Sequence, residues 1–142
     1  MGTKKRLRDM TWEDYGISKN RYKELKAFCL QYEEKKKKIQ YGIHSAVQDG
    51  MPKGSLSIES QVEKQAIENI AYIRDIRMIE KAAVRTNPVI WKYILKSVTE
   101  DLSYELIMYD KEQGRIPEGK TEFYGYRRLF YHNLNKLKLG TN

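Results

Sequence analysis

The sequence predicts an all-α protein: a long antiparallel helical hairpin followed by a C-terminal three-helix unit. Three observations carry that expectation. Apolar residues recur at three- and four-residue intervals through most of the chain, the spacing of a single buried helix face. Only three prolines interrupt it, in a composition rich in Lys, Glu, Leu and Ile. Capping residues stand where the periodic runs begin, and Gly or Asn-Pro stands where they end. With 142 residues, 40% hydrophobic and 32% charged, the chain is long enough for a core and too apolar for wholesale disorder.

Residues 1–10 form a basic arm with Lys4, Lys5, Arg6 and Arg8. Two readings of it stand: a disordered tail, or an arm lying along phosphates. A helical hairpin is expected over residues 11–86. Thr11 and Asp14 have the spacing of a capping box, opening a short helix over TWEDY that Gly16 ends. Ser18 then caps a long helix running to about Tyr41, with Tyr22, Leu25, Phe28, Cys29, Tyr32 and Ile39 as its inward stripe. Cys29, the only cysteine, reads as a small core residue. Glu33 to Lys38 reads as a solvated face with charge pairs between neighbouring turns. Three glycines, a proline and three serines make a flexible loop at about 42–57. Helical signals return at Ile58 and continue to Asn87-Pro88, with Val62, Ala66, Ile70, Ile73, Ile76, Ile79 and Ala83 as the stripe that packs on the first long helix.

Residues 87–142 are expected to form the three-helix unit. Asn87 caps and Pro88 starts a helix with Val89, Ile90, Tyr93, Ile94 and Val98 on its apolar face. SYELIMYD from Ser103 gives a second, short helix, and QGRIPEG the turn after it, longer than the tight turn of a standard unit. The last helix runs from about Pro117 to Leu139. Phe123, Arg127 by its aliphatic stem, Phe130, Leu134 and Leu137 face inward; Lys120, Thr121, Tyr124, Arg128 and His132 fall mostly on the other side. Helix, Gly-containing turn, then a longer amphipathic helix with arginines is the outline of a helix-turn-helix.

The formal charge of +8 and a pI near 9.4 favour an acidic partner, nucleic acid before anionic membrane. No apolar run approaches the roughly 18 residues of a spanning helix, and no apolar stretch follows the basic start as in a secretory signal, so a cytoplasmic chain is expected. His44, His132 and a single cysteine make no metal-ligand spacing, and neither a phosphate-cradling glycine loop nor a nucleophile elbow occurs. No cofactor is expected, and no catalysis. In the helix-turn-helix reading, Lys120, Thr121, Glu122 and Tyr124 face base edges. Arg115, Arg128, His132 and Lys136 hold phosphates, and Arg127 packs its stem while its head reaches the DNA backbone. A second reading unit remains open at Gly16-Ile17-Ser18, with Lys19, Asn20, Arg21 and Lys23 on its leading edge. A basic amphipathic helix that packs on a protein partner remains open as well.

The tail IPEGKTEFYGYRRLFYHNL resembles a pattern of Ile-Pro, Gly, Phe-Tyr-x-x-Arg-Arg-x-Phe and Leu near the ends of small prophage proteins of Gram-positive bacteria. GISKNRYKELKAFCLQY and SVTEDLSYE are similar to their earlier parts. Some of those proteins are grouped with phage transcriptional activators of the RinA and ArpU type, which carry a C-terminal helix-turn-helix like region four of sigma factors. The resemblance implies a phage regulator binding promoter DNA, with the recognition role on Lys120, Thr121, Tyr124, Arg127 and Arg128. Double-stranded DNA is the expected partner. The hairpin would serve a homodimer or contact with RNA polymerase. The competing expectations are an inhibitor of a host complex, and a packaging or replication accessory protein that binds DNA by charge.

Overall fold

The computed structural model describes residues 4–39, 58–110 and 114–141, and among them all regular structure is helical. The loop expected at about 42–57, with His44, lies outside the described residues, as does the far end of the first long helix. After a 3₁₀ turn at Leu7–Asp9 come α1 (Lys19–Leu30), α2 (32–39), α3 (Ile58–Thr86), α4 (Trp91–Glu100), α5 (Tyr104–Met108) and α6 (Lys120–Lys138). The single helix expected from Ser18 onward is thus divided at Gln31. Neither Gly nor Pro marks that division, which is why the periodicity ran through it.

The chain forms two compact units, one of Met1–Leu30 with Met78–Asn142, the other of Gln31–Arg77. These boundaries differ from a split at 10 and 86. In the first unit α6 is the central element and packs against the 3₁₀ turn, α1, α4 and α5. Phe123, Gly125, Phe130, Tyr131 and Leu134 of α6 are all buried. They spread over more of its circumference than one stripe, so α6 is covered from several sides. Helices α4, α5 and α6 touch one another, and α1 and the N-terminal segment contribute to the same core through Ile17, Leu25 and Cys29.

The N-terminal segment follows its local signals closely. The Thr11 amide donates to the Asp14 carboxylate at 2.9 Å, and the Asp14 amide donates to Thr11 Oγ1 at 3.1 Å. Those are the reciprocal bonds of a capping box. The TWEDY stretch makes one turn rather than a helix, because Gly16 at φ 68° ends it at once: Gly16 N–H reaches the Glu13 carbonyl and Ile17 N–H that of Trp12, both at 3.0 Å. Ser18 Oγ accepts from Arg21 N–H at 3.1 Å and starts α1. Trp12 packs on Tyr22 and Tyr131, with ring centroids 4.6 and 5.8 Å apart, and Tyr131 meets Phe130 edge-on at 5.1 Å. Each such pair contributes about 0.5–1.5 kcal/mol beyond its buried area.

Residues 4–10 are therefore not a free arm. Their backbone lies on α6 at Gly125, where an added Cβ would stand 3.1 Å from Arg8 Cα and 3.2 Å from the Leu7 carbonyl oxygen. Only glycine admits so close an approach without displacing backbone.

In the second unit, α2 and the first part of α3 are joined through Lys35, which is buried and donates to Asp75 at 3.0 Å. Lys38 lies over the Tyr72 ring at 5.5 Å, and Tyr32 is buried. Asn69 and Ile76 are the buried positions of α3 here, whereas Val62, Ile67 and Ile70 are exposed. The expected inward stripe is thus split: its Ile76 end is buried and its Val62–Ile70 end faces outward. Tyr72 and Asp75, which meet α2, set the rotation of α3, and Ile67 and Ile70 are left on the other side.

Gly125→Val is expected to lower the unfolding free energy by about 1–3 kcal/mol, the usual cost of forcing a branched side chain into a filled space. Urea denaturation followed by circular dichroism measures it, and limited proteolysis near residue 8 should become faster.

Candidate nucleic-acid interface

Arg128, His132 and Lys136 stand four residues apart on α6, so one side of the helix carries them in a row. From Phe123 to Asn142 the chain contains no Asp or Glu, and Arg127, Arg128, Lys136 and Lys138 are its cations. Part of this excess complements the helix C-terminus, where Lys136 and Lys138 fall in the last turn. The row itself is half-buried, and residues far away in sequence hold Arg128 and His132 in place.

Arg128 bears most on the fold. Its Nε donates to the Met10 carbonyl at 2.8 Å and its Nη2 to the Arg8 carbonyl at 3.0 Å. These are charge-assisted bonds, each worth about 1.5–3 kcal/mol. The guanidinium thus closes the N-terminal segment onto α6 while its Nη1 edge stays outside those two bonds. His132 stacks on Tyr15, centroids 4.7 Å apart and planes 25° apart. Burial, and then the charge of Lys136, push the His132 pKa below its ordinary value. Burial raises the Tyr15 phenol, opposed by the positive charge of Arg128. Tyr15 therefore lies beside both the arginine and the histidine of the row. The neighbouring helix adds Arg21, whose Nε donates to Asn135 Oδ1 at 2.7 Å.

The other residues expected to read DNA are placed differently. Lys120 is exposed on the first turn of α6 and pairs with Glu105 at 2.5 Å, which raises the lysine pKa and lowers that of the glutamate. Thr121 is exposed beside it. Glu122 pairs with Arg8 at 3.1 Å. Tyr124 is half-buried and its hydroxyl accepts the Tyr104 amide at 3.1 Å, so it belongs to the α5–α6 contact and does not point to a groove. Arg115 is exposed, and its carbonyl accepts from the Tyr93 hydroxyl at 3.4 Å. Arg127 departs furthest from expectation. Only 16% of its side chain is exposed, and Nη2 lies 3.9 Å from Asp101, the left-handed residue that ends α4. Its head turns into the fold and away from the solvent. The guanidinium sits near enough to Tyr131 to oppose the burial that pushes that phenol far up, yet by distance and angle neither Arg127 Nε nor the Tyr131 hydroxyl forms a hydrogen bond.

Tyr15 and the carbonyls of Arg8 and Met10 are the members that the sequence did not single out, and Arg21 is expected only in the alternative N-terminal unit. An aromatic pair bracketing a capping box in TWEDYG was the available signal for Tyr15. No local signal exists for a carbonyl met by an arginine 118 residues later. At the alternative N-terminal unit, Lys19, Asn20 and Lys23 are exposed on α1, whereas Arg21 is turned to Asn135 and Glu24. Among the described residues no group of three or more His, Cys, Asp or Glu could hold a metal, and no helix is long and apolar enough to cross a membrane. No protein-family model, curated protein or solved structure matches the chain.

The turn that carries Tyr15 has a pH signature. The Thr11 amide first, and the Lys5 ammonium second, hold the Asp14 carboxyl below its usual range. A lowered folded pKa means the contribution is present above the unfolded value and fades as the pH falls through the folded one. Asp14→Asn should therefore be less stable than the native chain at neutral pH, with the gap closing below about pH 4. Thermal melts across a pH series measure it.

Proposed function

We propose that the protein binds double-stranded DNA, with Arg128, His132 and Lys136 of α6 lying against phosphates, and that it acts in phage gene control. The observation that carries the DNA reading is this row of basic side chains, on a stretch of twenty residues free of carboxylates, in a chain of charge +8. Tyr15 adds a flat ring and a hydroxyl at its edge, both suited to sugar and phosphate contacts. The role in transcription, and contact with RNA polymerase, rest on the resemblance of the C-terminal stretch to phage activators. In this reading α5 and α6 are the helix-turn-helix pair. Base contacts are then confined to the exposed first turn, Lys120 and Thr121, because Tyr124 and Arg127 are engaged within the fold.

That last observation favours a second reading, an accessory protein of packaging or replication that binds duplex DNA by charge with little sequence preference. Titration of labelled duplexes over a salt series separates the two. Both readings give a linear fall of log affinity with log salt. A regulator prefers one duplex by roughly 4 kcal/mol or more over random sequence, and an accessory protein does not. Lys136→Gln should weaken binding to all duplexes alike and reduce the salt slope by about one. Arg128→Gln should do the same and also loosen residues 4–10. A native chain that ignores duplex DNA at low salt would falsify both readings.

His132 supplies a test of its own. In the free protein its lowered pKa keeps the ring neutral at pH 7, whereas a nearby phosphate favours the imidazolium. Binding then takes up a proton, so affinity should rise as the pH falls from about 7.5 to 5.5, by at most about tenfold per unit. His132→Gln should flatten that dependence while leaving the salt slope near its high-pH value.

A further inference from the structure

We propose that the outer face of α3 is a self-association surface, on which a second copy of this chain packs antiparallel with its centre at Ile70. In the unit of Gln31–Arg77, α2 meets the Tyr72 and Asp75 side of α3. The opposite side carries open apolar residues: Ile67 is 68% exposed and Ile70 67%, with Ala66 exposed beside them. Single exposed apolar residues are ordinary; several on one face of one helix form a patch that a partner covers.

The charge pattern along that face says which partner. Glu63 stands at its N-terminal end, Arg74 and Arg77 at its C-terminal end, and Ala66, Ile67 and Ile70 are the apolar positions. Glu63, Ile70 and Arg77 are seven residues apart in turn, so two helical turns separate each from the next and the three share a stripe. A two-fold axis through Ile70 sets Ile70 against its copy, Glu63 against the second copy's Arg77, and Arg77 against the second copy's Glu63. A two-fold interface requires such self-complementarity, with the same patch on both sides. A parallel pair would instead oppose Glu63 to Glu63 and Arg77 to Arg77, a repulsion at both ends. Glu63 and Arg77 have no ion-pair partner among the described residues, so the interface would displace no salt bridge seen there. This inference does not rest on the DNA reading. If both are correct, the dimer carries two basic rows.

Sedimentation velocity on the full chain, from micromolar to sub-millimolar concentration, is the test. The native protein is expected to pass from 16.9 kDa to twice that mass as concentration rises. Glu63→Arg and Arg77→Glu, each alone, should weaken the dimer by tenfold or more, because each sets like charges against each other at both ends. An equimolar mixture of the two variants should recover it, since the heterodimer restores opposite charges at both ends. Ile70→Asp should abolish association in every background. Circular dichroism confirms that each variant keeps its helices. A native chain that stays at monomer mass overturns the proposal, as happens if another segment of the chain covers the face. A dimer indifferent to Ile70→Asp overturns the surface, and a mixture that fails to recover overturns the antiparallel register.

Discussion

The docking of the N-terminal segment on α6 is the contact on which the larger unit depends. Arg128 reaches the carbonyls of Arg8 and Met10, across 120 and 118 positions of sequence, and Gly125 lets that backbone come close enough to be reached. The two features work only together. A side chain at 125 would lift the segment out of range of the guanidinium, and loss of the guanidinium would leave two carbonyls at the helix surface without those donors. Once residues 4–17 are seated, Trp12 enters the aromatic cluster with Tyr22 and Tyr131, and Ile17 fills the base of α1. The beginning and the end of the chain are therefore one structure.

This arrangement gives α6 a character unlike that of a reading helix laid on an otherwise complete scaffold. It is the core of its own unit, and its cations are divided by what they touch. Arg127 is drawn inward beside Tyr131, Arg128 is engaged with the backbone of Arg8 and Met10, and His132 is stacked on Tyr15. A helix so enclosed presents an edge to a ligand more readily than a full face. In the DNA-binding reading proposed above, such an edge meets a phosphate backbone more readily than α6 inserts along its length.

The smaller unit has a complementary logic. Lys35 is buried and Asp75 compensates it, an arrangement that fixes which side of α3 turns to α2. Ile67 and Ile70 are then on the far side, flanked by charges of opposite sign at its two ends. A helix outside the core has little reason to keep Ile67 and Ile70 in water unless something covers them.

By itself, the sequence determined the all-helical class and several local stops and starts. The capping box at Thr11 and Asp14, the left-handed stop at Gly16 and the cap at Ser18 depend on atoms within a few residues, and all are present. Asn87 accepts the Val89 amide, but only a turn follows it, and α4 begins at Trp91, not at Pro88. It also marked Arg128, His132 and Lys136 as neighbours, because helical spacing alone puts them in a row. Tertiary structure decided the rest. Which way α6 and α3 are rotated depends on partners a long way off in the chain, and a periodic apolar stripe is compatible with more than one rotation. Arg127 and Arg128 show this most sharply: adjacent in sequence and alike in chemistry, they lie about 100° apart around the helix. That angle sends one guanidinium, largely buried, towards Asp101 and the other to the N-terminal backbone.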